Sequence, residues 1–264
     1  MLQSNFHTHT YRCGHASGTD EQYIHAAIQA GITTLGFSDH APYKDYNNPK
    51  VCMKWSDIDE YISSIQKLKE KYASQIDIHI GFETEYFAEL IDEKKELLDK
   101  CEYLIFGQHF RKPISIGSYF NKNTDEEILE YCDSVCKGLE TGIYTYVCHP
   151  DLFLLKQTEF NEVCSQVSHK IAQKAKETDT PLEINLRGVQ KGKGQYNTGK
   201  RYPYPNYDFW QIASQYDVKC VIGIDAHAPQ DILECQTHYQ EALKEFEDLH
   251  LNIIDIKDII KKGK

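Results

Sequence analysis

Two histidines separated by one residue, His7 and His9, stand near the start of the chain, and Asp225 and His227 repeat that spacing near its other end. In an extended segment residues two apart project to the same face, so each pair can offer two ligand atoms to one ion. Between the pairs come His15, Asp39-His40, Glu83, His109 and His149. Imidazole and carboxylate together suit zinc, iron or manganese. The nine candidates His7, His9, His15, His40, Glu83, His109, His149, Asp225 and His227 are too many for one ion. Zinc takes four donors, and a catalytic zinc leaves one position open. The set therefore predicts two or three divalent ions, zinc favoured. Sites with several metals clamp the attacking and leaving oxygens of a displacement at phosphorus and lower the pKa of a bridging water.

The elements that must position these residues alternate along the chain. Strand-like runs cover Leu2–His7, Thr34–Ser38, Ile76–Glu83, Tyr103–Gln108, Tyr144–Cys148, Leu182–Asn185 and Val218–Ile224. Amphipathic stretches lie between them: Asp20–Ala30, Asp57–Tyr72, Ala88–Lys100, Asp125–Thr141, Phe160–Glu177 and Pro229–Leu249. The clearest, Asp57–Tyr72, carries Ile58, Tyr61, Ile62, Ile65, Leu68 and Tyr72 on one stripe. Strand, helix, strand without interruption predicts parallel strands with right-handed crossovers. Seven such units predict one α/β domain over residues 1–264, a closed or nearly closed barrel of seven strands. Asn252–Ile256 could add a short strand but lacks a following helix of useful length.

Chemistry in a parallel barrel sits in the loops after the strands' C-terminal ends. Seven of the twelve histidines fall there, while His25, His79, His169, His238 and His250 lie on helices or inside a strand. One such histidine alone is more often a core residue than a ligand; a ligand-type side chain at nearly every exit is not explained by packing. On the third run Ile76, Ile78, Ile80 and Phe82 alternate with Asp77, His79, Gly81 and Glu83. Glu83 thus faces the barrel interior at its rim. Glu85 has the same parity, and pattern does not choose between them. Asp77 and His79 lie deeper and read as polar lining.

The chain has 264 residues with a formal net charge of −11, which argues against a phosphate-tracking nucleic-acid binder. Its apolar runs are too short to span a bilayer, and its start lacks the pattern of a secretion signal. A cytoplasmic protein with no membrane partner is the expectation. Nine cysteines without a Cys-x-x-Cys pair indicate neither a disulfide framework nor a zinc ribbon. Cys132, Cys136 and Cys164 fall on apolar helical stripes and read as small core side chains. Against the acidic background, residues 187–201 contain Arg187, Lys191, Lys193, Lys200 and Arg201 and no acid, with four glycines among them. That segment reads as a flexible anion site at the barrel mouth.

The runs His7-Thr8-His9-Thr10, Cys13-Gly14-His15-Ala16 and Ser38-Asp39-His40-Ala41-Pro42 resemble the PHP (polymerase and histidinol phosphatase) superfamily. The likeness continues through Gly81-Phe82-Glu83, His109-Phe110, His149-Pro150-Asp151-Leu152, Glu183-Ile184-Asn185, Tyr204-Pro205 and Asp225-Ala226-His227. Within the superfamily the chain is similar to the histidinol-phosphate phosphatases. The resemblance implies a distorted seven-stranded TIM-like barrel, (β/α)7, around a trinuclear metal centre. It places His7, His9, Glu83 and Asp225 on a first ion, and His109 and His149 with a bridging Glu83 on a second. His15, His40 and His227 fall on a third. It thereby favours Glu83 over Glu85, and makes Asp39 a partner that orients a ligand histidine. Ser17, Lys156, Arg187 and Arg201 are the expected substrate contacts. Two departures bear on the substrate. The turn reads Gly223-Ile224-Asp225 where the family has serine before the aspartate, and Leu186-Arg187 stand where a small hydroxyl residue is common.

These readings predict a phosphomonoester hydrolase with histidinol phosphate as substrate. Glu83, Asp225 and His227 are its central catalytic residues, and a hydroxide bridging two metals is its nucleophile. A nucleotide or sugar phosphate is the alternative substrate. A non-catalytic PHP module is disfavoured by the complete ligand set. An amidohydrolase also opens with His-x-His, but it needs eight strands and a bridging lysine after the fourth, where this chain has His109.

Overall fold

Short runs such as Leu104-Ile105-Phe106 are apolar on both faces, which only a strand covered on both sides can accept. The computed structural model, which describes residues 1–113, 115–197 and 199–260, builds them into one parallel sheet. Its strands are β1 (Ser4–Asn5), β2 (Thr34–His40), β3 (Asp77–Thr84), β4 (Tyr103–Phe106), β5 (Tyr146–Val147), β6 (Leu182–Asn185), β7 (Lys219–Gly223) and β8 (Asn252–Ile253), neighbours in chain order. The expected seven strands become eight. β8 pairs with Lys219 and Cys220, the first residues of β7, and so sits at the base of the barrel. At the mouth the ring closes without it. Thr8 bridges Ala226, with His9 N donating to Ala226 O at 2.8 Å and Ala226 N to His7 O at 3.2 Å. Ser4 Oγ donates to Asp255 Oδ1 at 2.5 Å, tying the start of the chain to the segment after β8.

The covering helices begin where local chemistry starts them. Thr19 and Thr124 form capping boxes with Gln22 and Glu127, opening the helices Asp20–Gln29 and Asp125–Glu140. Gly31 and Gly142, both at positive φ, follow the ends of these helices. The single stretch expected over Pro229–Leu249 is instead two helices, Pro229–Leu233 and Cys235–Glu245. Inside the barrel Phe6, Tyr103, Ile105, Tyr146, Cys148, Val221 and Ile256 pack as one cluster, separate from the larger core between sheet and helices. That inner plug is the floor on which the mouth rests. Its rim carries two antiparallel hairpins: Phe110–Lys112 with Ile116–Ser118, and Gly194–Tyr196 with Gly199–Arg201. Among the described residues no helix is long and apolar enough to cross a membrane.

Candidate metal centre

Every strand of the mouth delivers a polar side chain to one buried point. Glu83, at the end of β3, is its hub. Its Oε1 lies 3.0 Å from His149 Nε2 and 3.3 Å from His109 Nε2, and those two nitrogens are 3.2 Å apart. Its Oε2 lies 2.9 Å from His40 Nδ1, 3.5 Å from His9 Nε2 and 3.7 Å from His7 Nε2. Asp225 Oδ1 lies 3.3 Å from His9 Nε2, 3.6 Å from His7 Nε2 and 3.2 Å from His227 Nδ1. His15 completes the ring of imidazoles, 5.2 Å from His40 and 5.0 Å from His227 between ring centroids. All nine sequence-predicted ligands are therefore together. Glu85 is not among them: it lies beyond the end of β3, and accepts from His109 N and Phe110 N at 2.9 Å and from Tyr43 Oη at 2.7 Å. Asp77 and His79 are at the other end of the barrel.

Backbone conformation helps aim these side chains. His149 and Asp225 adopt left-handed φ values of 32° and 56°. A non-glycine residue there costs on the order of 1–3 kcal/mol and persists only where its surroundings hold it. Glu183, from β6, does the holding. One oxygen accepts from His149 N at 3.0 Å and Asn185 Nδ2 at 2.8 Å, and the other meets His7 Nδ1 at 2.8 Å. A Cβ on Gly223 would come within 1.7 Å of Glu183 Oε1, so that position accepts no side chain while Glu183 stays in place. Glu183 shares its inward parity with Asn185, and that parity was the sequence signal for its role. Asp39 is buried beside His9, its Oδ1 3.7 Å from His9 Nδ1; it also accepts from His40 N at 2.9 Å and from the Thr10 hydroxyl.

Several buried polar atoms here make no hydrogen bond within the protein: His7 Nε2, both ring nitrogens of His9 and His149 Nδ1, while Glu83 Oε2 lies close to His40 Nδ1 without forming one. Burying such groups unpaired costs several kcal/mol in total, so something must meet them. The charge states of the side chains bear on what that is. Burial, helped by His227, holds the His9 imidazole well below its usual range despite Asp225 and Glu83, and burial takes His40 down to about 3. Burial opposes ionisation of Glu83, yet His109, His40 and His7 outweigh it and hold the carboxyl well below its usual range. For Asp225, His7 and His227 outweigh burial in the same way. His15 Nδ1 faces the Cys13 and Lys50 carbonyls at 3.0 and 3.1 Å and so must donate, leaving Nε2 as a lone pair. Burial opposes charge on His7 and His109 too, but Glu183, Asp225 and Glu83 outweigh it and raise His7 well above its usual range, and Glu83 and Glu85 raise His109, so protons on these two imidazoles stand where a cation would balance the same carboxylates. The lone pairs of His9, His15 and His40 beside ionised Glu83 and Asp225 are a donor set suited to divalent cations. Ligand atoms of His7, His9 and Asp225, and separately of His15, His40 and His227, lie within 4.8 Å of one another. Two such groups and the Glu83–His109–His149 triangle are three clusters of ligand atoms around one carboxylate.

Above the hub opens a cleft of about 340 Å³. Its outer wall carries Lys50, Arg187 and Lys191 with Val51, Phe110, Phe120, Leu152 and Tyr204. Burial, then Arg187, lowers the pKa of Lys191, whose Nζ lies 3.1 Å from Tyr204 Oη. The other expected substrate contacts are placed differently. The Arg201 guanidinium donates to the Tyr202, Pro203, Leu154 and Gln157 carbonyls and stacks 3.7 Å over Tyr196, so its donors are used in holding the hairpin down. Lys156 is exposed and does not line the cleft. Ser17 is also exposed; its backbone N donates to the His227 carbonyl at 2.8 Å, bracing the loop instead of facing the cleft. Lys193 turns away to Glu245, 2.5 Å distant. Among the described residues of the segment 187–201 only Arg187 and Lys191 line the cleft, because residues 186–190 form a short helix capped by Asn185 and residues 194–196 pair with 199–201 in a hairpin.

Residues 5–187 match the PHP domain family. The chain belongs to that family. A PHP relative from Deinococcus radiodurans, a candidate histidinol-phosphatase, is 27% identical over 259 residues and aligned over 92% of each chain. The histidinol-phosphatase of Bacillus subtilis is 32% identical over 156 residues, 55% of this chain and 58% of that one. Among solved structures, the candidate histidinol phosphatase hisK of Listeria monocytogenes superposes with a TM-score of 0.74 at 23% identity, covering 90% of this chain and 100% of that one. The histidinol phosphate phosphatase of Lactococcus lactis, complexed with zinc, L-histidinol and phosphate, gives 0.67 at 16% identity, covering 91% and 93%. At such identities the structural likeness establishes the shared curled parallel sheet.

Proposed function

We propose that this PHP protein is a metal-dependent phosphomonoesterase whose substrate is histidinol phosphate, placing it in histidine biosynthesis. The observation that carries the reading is the hub itself: buried, ionised Glu83 faced by His7, His9, His40, His109 and His149, with unpartnered lone pairs between them. His7, His9, Asp225 and Glu83 would hold one ion, Glu83 with His109 and His149 a second, and His15, His40 and His227 a third. Bound there, such ions supply water activation at neutral pH and neutralise charge on a phosphoryl group. Arg187 and Lys191 receive the phosphoryl oxygens from the cleft side by charge-assisted hydrogen bonds, which hold phosphorus over the hub. Glu183 keeps His7 in the tautomer that presents Nε2 and fixes the strained His149. Phe110 and Phe120 offer a flat apolar wall to the alcohol portion of the ester, Phe120 lying stacked on His109 with centroids 5.5 Å apart.

One feature of the cleft favours a second reading, a phosphate ester without an amine, such as a nucleotide. The carboxylates among its described lining residues are Glu83 and Asp225, both committed to the hub, while Lys50, Arg187 and Lys191 line the outer wall. Histidinol carries an ammonium group that would meet those cations. Phosphate release from histidinol phosphate and from a panel of nucleotide and sugar phosphates, with metal analysis of the same sample, tests both readings. Histidinol phosphate should be the best substrate, and chelation should abolish turnover until zinc is restored. A metal-loaded protein that releases phosphate from none of the esters overturns both; one that prefers a nucleotide overturns the first.

A further inference from the structure

The nine hub ligands do not exhaust the donors at this point. Cys148, which follows β5, turns inward onto the top of the barrel plug, fully buried, with its Sγ 3.2 Å from Glu83 Oε1. One ligand atom each from His7, Glu83, Cys148 and His149 lie within 4.8 Å of one another. The residues grouped with the thiol also carry buried atoms without a hydrogen bond, His7 Nε2 and His149 Nδ1, and the thiol's own neighbour Glu83 Oε1 lies 3.0 Å from His149 Nε2 and 3.3 Å from His109 Nε2. Space around the thiol is tightly allotted. A Cβ on Gly107 would lie 2.1 Å from Glu83 Oε1 and 3.0 Å from Cys148 Sγ, so the backbone there leaves room for those two side chains together.

We propose that Cys148 is a thiolate ligand of the second ion, the one assigned above to Glu83, His109 and His149, making its donor set two nitrogens, one oxygen and one sulfur. This rests on the metal-centre reading above and adds to it. Four donors of these types are a zinc set, and sulfur is the element that distinguishes it. On ligation the S–H bond breaks, the sulfur keeps the electron pair and donates it to the ion, and the proton leaves to solvent. The consequence is selectivity: imidazole and carboxylate alone accept manganese or iron, whereas a thiolate biases the position towards zinc. Cys13 is the natural control: it lies near His9 and His227 at the other side of the hub, but neither Glu83 nor Asp225 belongs to that group.

The test replaces the metal with cobalt(II), whose bond to a thiolate gives an intense near-ultraviolet charge-transfer band that histidine and carboxylate ligands do not give. The cobalt-loaded protein should show the band. Cys148→Ser should lose it while keeping cobalt at the remaining positions, and Cys13→Ser should retain it. Zinc competing against manganese should also lose at least tenfold of its advantage in Cys148→Ser. Absence of the band from the loaded wild type, or its survival in a folded Cys148→Ser, overturns the proposal and leaves the metal centre standing. Failure to take up any divalent ion overturns both. Cys148→Ala, checked by circular dichroism, separates loss of a ligand from loss of the fold.

Discussion

The two ends of the barrel bury the same kinds of side chain and use them differently. At the base His79 is enclosed with both ring nitrogens occupied, Nδ1 at 2.6 Å from Glu102 and Nε2 at 3.2 Å from Asp77, and Lys69 closes on Glu102 at 2.7 Å. At the mouth His7 and His9 are equally buried, yet one ring nitrogen of the first and both of the second have no partner. Burial therefore does not distinguish a ligand histidine from a structural one. What distinguishes them is whether the protein supplies both partners. At the base charges cancel within the chain; at the mouth carboxylates and lone pairs converge and require charge from outside.

That contrast can be broken by exchanging what each end depends on. The largest effect should come from Glu83→Gln, which keeps the shape of the hub and removes its shared charge. Turnover of a phosphate ester should fall on the order of 1000-fold, whereas Glu102→Gln at the base should leave turnover within a factor of about two. Near-equal losses would erase the distinction. Gly223→Ala should follow. A methyl group driven into Glu183 releases His7 and His149 together, costing about 3 kcal/mol in denaturant unfolding and lowering metal content. The base is best probed by acid. Burial opposes ionisation of Glu102, but His79 and Lys69 outweigh it and bring its carboxyl from 4.5 down to about 2. A depressed carboxyl stabilises the fold above its unfolded pKa, and that contribution is lost as pH falls through the folded one. Between pH 4.5 and 2 the wild type should lose on the order of 2 kcal/mol that Glu102→Gln has already forfeited, as read by unfolding midpoints across that range. The smallest effect concerns two cations of one segment. Lys191→Ala should raise KM about tenfold with an unchanged unfolding midpoint. Arg201→Ala should do the reverse, lowering the midpoint and leaving KM near its original value.

These differences also mark how far the sequence could be read. The nine side chains of the hub were legible because most sit at or soon after a strand end, and strand ends follow from apolar runs. β6 matches its run, Leu182–Asn185, residue for residue. β1 and β5 are shorter than theirs at both ends. The role of Arg201 was not legible. Its partners are carbonyls of residues 154, 157, 202 and 203, and nothing in a run of basic residues announces which of them a distant loop will bind. Cys148 was hidden for a related reason: cysteines on apolar stripes are ordinary, and only the convergence of β3 and β5 sets this one against Glu83. The eighth strand was visible as Asn252–Ile256 but discounted for want of a helix. In the structure a four-residue helix, Lys257–Ile260, follows it.

That eighth strand has a geometric consequence. The mouth is fastened between Thr8 and Ala226, whereas at the base the start of the chain is tied to the segment after β8 by Ser4 and Asp255. The two rims are thus held by different parts of the chain, and the last segment reaches the centre only through Ile256 in the plug beneath it.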